Sequence, residues 1–596
     1  MTDGPSPVQT RSGSFEDALA HGRRLLDQDP SAALKQAEEL VRLRKDARVF
    51  RLAAAACRKL GMPVDAEGAE LGAIEASLRE PELSRSAEAL ADGRDADARE
   101  IATNFLQTQP DDLLAMTIAA EASLALREFE VAEKLLDEVL ERAPTFLRAS
   151  MLLASCLAMQ VRMREAITVV ERVVARKPHS VPALSNLARL LAEVGDGEKA
   201  TEMHERLVAL DRSRPERWEQ LAHSYRIVGR REDSIEAFRR ALAIEPSRGS
   251  SWWAISNYFP TELGDQDRDA ITAALAQRTG KQDEGALWLA LGHIADRAGE
   301  YAEAFEYFRS GKAARLVNQP YDPDPISTAV SEVIKLYTPG FYRQRSGAGW
   351  QDSSPIFVIG MHRSGTTMVE RMLGRHSAIE GAGEMRVMPK LAECARREAD
   401  NPEHYAELLA NLPDEQLTWV GKRYVEASRD YRRSEKRHFI DKNNLNWLQA
   451  GLTLIALPDA RIIDVRRNAL DCCWANFKML FSAEFPATNE LRHVGQLYRD
   501  YVRLFDAMQV AAPGRILSVR YEQVVDDLEG QARRMLDFVG LPFEPQCLDF
   551  HLSTGAVATA SSEQVRQPLN RKGIGSAEPY RQWLGPLIEE LGELAG

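Results

Sequence analysis

The chain has 596 residues, of which 76 are Lys or Arg and 89 are Asp or Glu, so its formal net charge is −13. This balance excludes a general polyanion-binding protein, and we expect no nucleic-acid partner, because any basic surface would have to be local. The hydrophobic content of 44% excludes wholesale disorder. At about 150 residues per domain, the length predicts three or four domains, or a repeat array joined to one catalytic domain.

Hydropathy and cysteine spacing favour a cytoplasmic protein. No apolar run approaches the roughly 18 residues of a membrane span. The opening residues MTDGPSPVQTRSGSFED have neither the basic start nor the apolar stretch of a secretory signal. The six cysteines are too scattered for a disulfide framework or a CxxC zinc site, and HEXXH and EF-hand patterns are absent from the sequence. We therefore expect no membrane span and no metal.

A 34-residue period runs through the first half of the chain. Four prolines and one arginine lie on this grid, namely Pro110, Pro144, Pro178, Arg212 and Pro246. A small residue lies twelve positions before each of them, namely Ala98, Ala132, Ala166, Ala200 and Ser234. A small side chain lets two helices approach closely, and proline ends a helix because it has no backbone N–H to donate. Since the apolar spacing between these positions is helical, the pattern predicts stacked helical hairpins.

The length, phase and signature positions of this period resemble the tetratricopeptide repeat family. The grid covers roughly residues 80–250, and degenerate repeats at 14–78 and 285–316 extend the predicted repeat domain to 14–318. Such a solenoid has a concave groove, which would dock an acceptor or a protein partner. The alternative is that the array only scaffolds or dimerises the rest of the chain, and the sequence does not decide between the two.

A change of composition marks the second domain. From Asn318 the chain turns to the proline-rich run NQPYDPDP, a short helix follows, and the polar, turn-rich RSGAGWQDSSP comes next, so we assign 319–352 to a linker. Short apolar runs then alternate with helical patterns, namely IFVIG (356–360), ARIIDVRR (460–467) and GRILSVRY (514–521). This alternation predicts a parallel sheet with helices on both faces, in a domain over 353–596. The predicted fold class is therefore an all-α repeat solenoid followed by an α/β domain.

A loop bracketed by glycines follows the first of these strands. Gly360 and Gly365 enclose four residues in PIFVIGMHRSGTTMVERML. This is the spacing of a P-loop, in which backbone N–H groups and a helix N-terminus bind phosphate. Thr366 occupies the position of the lysine found in nucleoside triphosphatases, and the cation lies inside the loop instead, at Arg363. A P-loop phosphotransferase thereby loses its main support, although it stays an alternative.

The loop and the segments after it resemble the sulfotransferase family. HRSGTT is similar to the family's 5′-phosphosulfate loop, and the similarity continues through GRHSAIEGAGEMRVMPKL, FIDKNNLNWLQAGLTLIALPDARIIDVRRNALD and SVRYEQVVDDLEGQARRMLDFVGLP. The joint order of motifs resembles tyrosylprotein sulfotransferases and the bacterial sulfotransferases with N-terminal tetratricopeptide repeats. The resemblance implies transfer of a sulfuryl group from 3′-phosphoadenosine 5′-phosphosulfate to a hydroxyl acceptor.

The resemblance also implies which residues bind the donor. The 5′-phosphate would be held by backbone N–H groups and hydroxyls of Ser364, Gly365, Thr366 and Thr367. Arg363 would offset charge on the bridging oxygen as the S–O bond breaks. Arg467 would bind the 3′-phosphate, although Ala475 stands where the family usually has serine, and Tyr521 would lie near the nucleotide. The RKGIG segment would close over the 3′-phosphate with Arg571, Lys572 and Gly573.

Two further residues would carry the chemistry together with Arg363. The acceptor must lose a proton as it attacks sulfur, so a base is required. Glu384 in GAGEMR falls at the position of the catalytic glutamate of tyrosylprotein sulfotransferases, and Lys442 in FIDKNN matches the family's transition-state lysine. His362 and His376 are alternative bases, because imidazole titrates near neutral pH.

The acceptor and the catalytic competence of the domain stay open at this point. The resemblance around Glu384 favours peptidyl tyrosine, whereas sugars, lipids and small phenols are alternatives. A non-catalytic repeat adaptor with a degraded nucleotide-binding domain is a further alternative. Two departures from the family pattern support this alternative. One is Ala475, and the other is Asn443, because the proline that usually comes shortly after Lys442 is absent.

Overall fold

The computed structural model describes residues 14–277, 281–397, 404–482, 485–553, 555, 559 and 562–596. The chain divides between Leu187 and Ala188 into two compact units, and this division falls inside the repeat array. None of the helices in these residues combines the length and the apolar character that crossing a membrane requires.

The first unit is built from helical hairpins in which most neighbouring helices pack against each other. Its helices are α1 (Phe15–Gln28), α2 (Pro30–Leu43), α3 (Ala47–Lys59), α4 (Pro63–Ser77), α5 (Pro81–Ala91), α6 (Asp95–Thr108), α7 (Leu113–Ala125), α8 (Phe129–Arg142), α9 (Leu147–Met159) and α10 (Met163–Arg176). The helices that end at Thr108, Arg142 and Arg176 each stop two residues before a proline of the 34-residue grid. The small residues of the grid within this unit are fully buried, as the predicted close approach of helices requires.

A second feature repeats with the same period. The hairpin turns contain residues with a left-handed backbone, namely Gly93, Arg127, Val161, Gly195 and Gly229, with φ between 60° and 85°. Glycine adopts this conformation without strain, whereas Arg127 and Val161 adopt it against the preference of their side chains. Each repeat therefore turns in the same way whichever residue occupies this position.

The second unit begins with further helices of the array and continues into the segment 319–352. These helices are α11 (Val181–Glu193), which spans the division, α12 (Gly197–Leu210), α13 (Pro215–Val228), α14 (Arg231–Ile244), α15 (Gly249–Tyr258), α16 (Asp265–Ala276), α17 (Lys281–Ala298), α18 (Tyr301–Leu316), α19 (Asp324–Leu336) and α20 (Pro339–Arg345). Helix α19 packs against later helices of this unit, and the Tyr337 hydroxyl that follows it donates to the Gly451 carbonyl oxygen at 3.2 Å. The segment assigned to a linker thus contains two α-helices and a 3-10 turn, Ser346–Ala348, where the sequence predicts one short helix.

A parallel sheet of five strands forms the centre of the second unit, in the order β2-β3-β1-β4-β5. The strands are β1 (Pro355–Ile359), β2 (Ile379–Gly381), β3 (His438–Asp441), β4 (Arg461–Arg466) and β5 (Ile516–Arg520). In the central strand, Ile356 pairs with Ile440 of β3 and with Arg461 of β4. All residues of β1 are buried, as in a parallel strand covered by helices on both faces.

Helices alternate with these strands, and the predicted fold class is confirmed. The remaining helices are α21 (Thr366–Gly374), α22 (Val387–Arg397), α23 (Tyr405–Asn411), α24 (Asp414–Ser428), α25 (Ala450–Ala456), α26 (Ala469–Phe477), α27 (Leu491–Ala511), α28 (Tyr521–Asp526), α29 (Leu528–Val539), α30 (Ser562–Val565) and α31 (Gly585–Leu591). One core cluster joins β1, β3 and β4 to α21 and α29, with Val358, Ile440 and Val465 fully buried. This core fixes the edge of the sheet that carries the candidate site.

Candidate active site

The carboxyl ends of the five strands each lead into a segment with a predicted site residue. The glycine-bracketed loop follows β1, Glu384 follows β2, Lys442 follows β3, Arg467 follows β4 and Tyr521 follows β5. Because all strands are parallel, these ends meet at one edge of the sheet, where open α/β folds bind their ligands. The topology therefore gathers residues that lie far apart in the sequence.

The loop between β1 and α21 leaves no room for side chains at its two glycines. A Cβ on Gly360 would lie 2.5 Å from both the Ser364 Oγ and the Val465 carbonyl oxygen. Gly365 has a φ of +102°, and a Cβ there would lie 2.7 Å from the Tyr521 ring. Arg363 also has a left-handed backbone, with a φ of 66°. Left-handed residues within a short loop are typical of backbone nests that bind anions.

The hydroxyl groups of the loop are buried, and they differ in their hydrogen bonds: the Thr366 Oγ1 donates to the Asn444 Oδ1 at 3.3 Å. Ser364 is 1% exposed, and its Oγ has no hydrogen-bond partner within the described part of the chain. Thr366 and Thr367 are buried at the start of α21, where the first N–H groups of a helix have no partner within the helix. Leaving a buried hydroxyl unpaired costs free energy, which a bound phosphate oxygen would recover. The loop thus fits the phosphate of the donor implied by the family resemblance.

Arg363 points its guanidinium toward the C-terminal part of the chain. Its Nη2 donates to the Gln564 Oε1 at 3.0 Å. Burial lowers the pKa of Arg363 to about 10, and the neighbouring Arg467 guanidinium adds to the decrease. The side chain consequently stays charged at neutral pH.

Arg467 joins the loop to the RKGIG segment. Its Nη1 donates to the Arg363 carbonyl oxygen at 3.0 Å, and its Nη2 donates to the Gly573 carbonyl oxygen and to the Ser576 Oγ. The guanidinium lies 5.6 Å from the centre of the Tyr521 ring. Its Nε is buried and has no partner in the described residues, so it has capacity for one more acceptor. The structure therefore brings Arg467, Tyr521 and Gly573 together.

The RKGIG segment carries two exposed cations, and Arg571 has a carboxylate partner. Arg571 is exposed and pairs with Asp526 at 2.5 Å, while the side chain of Lys572 is exposed to solvent.

Sequence reasoning missed Asp471 and Ser576, which hold the end of this segment. The Asp471 carboxylate accepts hydrogen bonds from the Gly575 and Ala577 N–H groups, both at 2.8 Å. Ser576 also places a hydroxyl 3.0 Å from Arg467, whereas Ala475 has none to offer.

Glu384 and Lys442 form an ion pair across neighbouring strands. The Lys442 Nζ donates to the Glu384 Oε1 at 2.5 Å. The side chain of Lys442 is 1% exposed, whereas that of Glu384 is 44% exposed. The Lys442 N–H also donates to the Gly383 carbonyl oxygen at 3.0 Å, and Gly383 has a left-handed backbone. In this ion pair the carboxylate of Glu384 is accessible to solvent and the ammonium group of Lys442 is buried.

Glu370 is a neighbour of this pair that sequence reasoning missed. It lies on α21, and its Oε1 accepts a hydrogen bond from the Gly383 N–H at 3.1 Å. Burial raises the pKa of Glu370, the Glu384 charge adds to the increase, and the Lys442 charge opposes it. The available signal was an acid on the helix directly after the loop. Glu370 supports the turn that carries Glu384.

Asn443, the residue after Lys442, joins two loops by its hydrogen bonds. The Asn443 Nδ2 donates to the Met385 carbonyl oxygen at 2.7 Å, and its Oδ1 accepts from the Leu445 N–H at 3.0 Å.

The buried Asp441 carboxylate accepts from the Tyr424 hydroxyl and the Asn446 Nδ2, both at 2.9 Å. Burial raises the pKa of Asp441 to about 7.

The two histidines considered as bases lie in different surroundings. His362 contacts the rings of Phe481 and Phe485 edge-on, at 5.1 and 4.3 Å between ring centres. Burial lowers its pKa to about 4, so it is neutral at physiological pH. His376 is 2% exposed, with its Nε2 3.0 Å from the Pro542 carbonyl oxygen and its Nδ1 accepting from the Ala378 N–H. His376 thus fixes the turn after α21.

The described residues contain no group of three or more His, Cys, Asp and Glu side chains arranged to hold a metal ion. Fold and site together define an α/β phosphate-loop protein, without the lysine of nucleoside triphosphatases, joined to a helical repeat array.

Comparison with known families makes this class specific. Residues 355–545 match the model of the sulfotransferase family. Residues 119–181, 183–217 and 215–248 match tetratricopeptide repeat models. The chain therefore carries tetratricopeptide repeats followed by a sulfotransferase-family domain, and the resemblance predicted from the motifs is confirmed.

Relatives match only part of this chain. An uncharacterized protein of Aquifex aeolicus (strain VF5) is 29% identical over 324 residues, which are 52% of this chain and 42% of that protein. Protein-tyrosine sulfotransferase A of Caenorhabditis elegans is 22% identical over 259 residues, which are 41% of this chain and 66% of that protein. The chain thus spans less than two thirds of the length of either relative. A solved tetratricopeptide repeat protein of Thermus thermophilus is 22% identical, with 28% of this chain and 90% of that one covered and a TM-score of 0.23.

Proposed function

We propose that the protein transfers the sulfuryl group of 3′-phosphoadenosine 5′-phosphosulfate to a hydroxyl acceptor. The observation that carries this proposal is the ion pair between the exposed Glu384 and the buried Lys442, at the sheet edge that also holds the phosphate loop. A carboxylate and a cation beside a phosphate site are the groups that such a transfer needs. The sulfotransferase-family match over residues 355–545 supports the same reaction class.

The donor has two anionic ends, and the site offers two separated places for them. The loop hydroxyls and N–H groups of Ser364–Thr367 would bind the 5′-phosphate, with the Ser364 Oγ, unpartnered among the described residues, as one donor. Arg467 would bind the 3′-phosphate beside Gly573 and Tyr521 through its Nε, which also lacks a partner in the described part of the chain. Arg571 and Lys572, exposed on the same segment, would approach the 3′-phosphate from the solvent side.

The transfer step follows from these positions. The acceptor oxygen attacks sulfur, a new S–O bond forms, and the bond between sulfur and the bridging phosphate oxygen breaks. Glu384 takes the acceptor proton, and adenosine 3′,5′-bisphosphate leaves with the bonding electron pair. Arg363 and Lys442 stabilise the negative charge that develops on the bridging oxygen and on the transferring oxygens.

Peptidyl tyrosine is the acceptor that we favour. One relative is named a protein-tyrosine sulfotransferase, and the base Glu384 is accessible enough for a side chain of a polymer to reach it. The tetratricopeptide repeats, which commonly bind peptides, would dock this acceptor or a partner protein. The reaction needs no metal in this proposal, and we place it in the cytoplasm.

Transfer of radiolabelled sulfate from the donor to tyrosine peptides tests the proposal. We expect Glu384→Gln and Lys442→Met to lower turnover by about 100-fold or more, since a positioned base alone contributes about that factor. The affinity for adenosine 3′,5′-bisphosphate should stay within about threefold for Glu384→Gln, because Glu384 acts on the acceptor. Glu415→Gln and Lys422→Met, exposed residues of α24, are matched controls. Undiminished transfer by Glu384→Gln would remove Glu384 from the mechanism.

A further inference from the structure

The short helix α30 lies between the phosphate loop and a helix of the repeats. On one side, the Gln564 Oε1 accepts a hydrogen bond from the Arg363 Nη2 at 3.0 Å. On the other side, the Ser562 Oγ accepts a hydrogen bond from the Nη1 of Arg226, on α13, at 2.5 Å. Two residues of one helical turn thus connect Arg226 to the arginine of the phosphate loop.

Further contacts hold α30 against the end of α13. The Arg566 Nη2 donates to the Ile227 carbonyl oxygen at 2.9 Å. A Cβ on Gly229, which ends α13, would lie 3.1 Å from the Arg566 Nε, so the arginine packs directly on this turn. Arg231, the first residue of α14, pairs with Glu563 at 3.5 Å. The tip of the α13–α14 hairpin therefore contacts Glu563 and Arg566, which both follow Ser562.

Arg226 itself is held rigidly. It is 5% exposed, and its guanidinium lies 4.1 Å from the centre of the Tyr258 ring. A guanidinium removed from water needs hydrogen bonds and ring contacts to offset its desolvation. The Arg226 side chain is therefore confined to this position. The Ser562 side is equally fixed, because Ser562 is fully buried.

We propose that Arg226 is a positioning residue for the donor site. It fixes α30, and α30 in turn fixes the guanidinium of Arg363 through Gln564. The hairpin α13–α14 is on this view a part of the donor site and not a separable docking module. The proposal rests on the donor-binding role of Arg363 proposed above. All of these residues lie in the second compact unit.

Two measurements on the full-length protein test this proposal. We expect Arg226→Gln to weaken binding of adenosine 3′,5′-bisphosphate by about 10-fold in calorimetry, the lower end of the loss seen at metal sites when a partner that orients a ligating side chain is removed. Amide hydrogen exchange in the peptide 562–566 should become faster in the same variant, because α30 loses one of the contacts that hold it against α13. Gln564→Ala, an exposed substitution, should weaken nucleotide binding similarly while leaving exchange in α13 unchanged. Arg240→Gln, which removes only an exposed pair with Glu236 on α14, should change neither quantity.

The possible results distinguish a failure of the positioning role of Arg226 from a failure of the proposed function. If the wild type does not bind the bisphosphate, the proposed function fails, and the exchange of 562–566 alone decides whether Arg226 fixes α30. If the wild type binds and both Arg226→Gln and Gln564→Ala bind equally well, the positioning role is overturned. If Arg226→Gln does not fold, Ser562→Ala, which removes the other side chain of the same hydrogen bond, takes its place in both measurements. Unchanged exchange at 562–566 in a folded Arg226→Gln would also overturn it.

Discussion

At the scale of single residues, the site combines a buried cation with an accessible carboxylate. Lys442 is 1% exposed and the side chain of Glu384 is 44% exposed, so the acid faces the solvent while the cation is enclosed. A buried ammonium requires a nearby acceptor, which Glu384 provides in the free protein. Glu370 and Asn443 hold the two ends of the segment that carries Glu384, through Gly383 and Met385. The position of the proposed base therefore depends on the hydrogen bonds that Glu370 and Asn443 make to the backbone of this segment.

Asp441, the residue before Lys442, should make stability depend on pH. It is fully buried, and burial raises its pKa from 3.8 to about 7 against the opposing hydrogen bonds from Tyr424 and Asn446. The folded state therefore binds this proton more tightly than the unfolded chain. Its contribution to stability is fully present below about pH 4 and is lost as the pH rises to about 7.

The substitution Asp441→Asn checks this dependence. Between pH 4 and 7, we expect the free energy of unfolding to fall less in this variant than in the wild type. The difference is at most about 4 kcal/mol, at about 1.4 kcal/mol per pKa unit. Urea unfolding at several pH values measures the slope. Asp537→Asn, an exposed acid on α29, is the control and should leave the slope unchanged. An identical slope in Asp441→Asn and wild type would show that Asp441 does not titrate in this range.

At the scale of elements, the turn between β1 and α21 should tolerate no side chain at its second glycine. Gly365 has a φ of +102°, and a Cβ there would overlap the Tyr521 ring at 2.7 Å. We expect Gly365→Ala to destabilise the protein by about 2–4 kcal/mol, from backbone strain and steric overlap together. Binding of adenosine 3′,5′-bisphosphate should weaken by at least about 10-fold, since the loop N–H groups would be displaced.

Gly374→Ala is the matched control on the same helix. Its φ is not left-handed, and the nearest atom to an added Cβ is the Gly381 nitrogen at 3.5 Å. Thermal unfolding and calorimetry should show wild-type behaviour or a gain of up to about 1 kcal/mol from helix propensity. Equal effects of the two alanine substitutions would contradict the role assigned to the loop backbone.

The sequence predicts those elements whose signals are local. Three of the strands, the phosphate loop and the repeat grid are encoded in runs of neighbouring residues. The short strands β2 (Ile379–Gly381) and β3 (His438–Asp441) give too brief an apolar signal to be found this way. The left-handed turns of the repeats share the 34-residue period, but Arg127 and Val161 conceal it because they are not glycines.

Contacts between distant residues were beyond sequence reasoning. Arg226 and Ser562 are 336 positions apart, and only the packing of α30 on α13 brings them together. The same holds for Asp471, which grips the N–H groups of residues 575 and 577 from α26. The proposed roles of Arg363, Glu384, Lys442 and Arg467 come from motif resemblance, and the structure supplies the partners that each of them has.

At the scale of the whole molecule, the donor-site residues and the hairpin α13–α14 belong to one compact unit. The division between Leu187 and Ala188 leaves α1–α10 outside it. We therefore expect a chain that starts at Pro178, just before α11, to bind adenosine 3′,5′-bisphosphate within about threefold of the full-length protein, since it keeps every proposed contact.

A shorter chain that starts at Gln319 provides the contrast. It lacks α13, and it also lacks α18, whose buried Lys312 donates to the Met479 carbonyl oxygen at 2.7 Å and whose Arg315 donates to the Phe481 carbonyl oxygen. We expect this chain to lose stability and at least about 10-fold in nucleotide affinity, because buried hydrogen-bond partners are removed. Full affinity in the shorter chain would contradict an integral role of the last repeats.

The choice of donor is the central claim, and side-by-side calorimetry of two nucleotides tests it most directly. The loop has Thr366 in place of the lysine that binds a γ-phosphate, and it has Arg363 and Arg467 for a nucleotide with phosphates at both the 5′ and 3′ positions. We predict micromolar binding of adenosine 3′,5′-bisphosphate without magnesium and little heat from magnesium ATP. Tight uptake of magnesium ATP together with no binding of the bisphosphate would contradict the account.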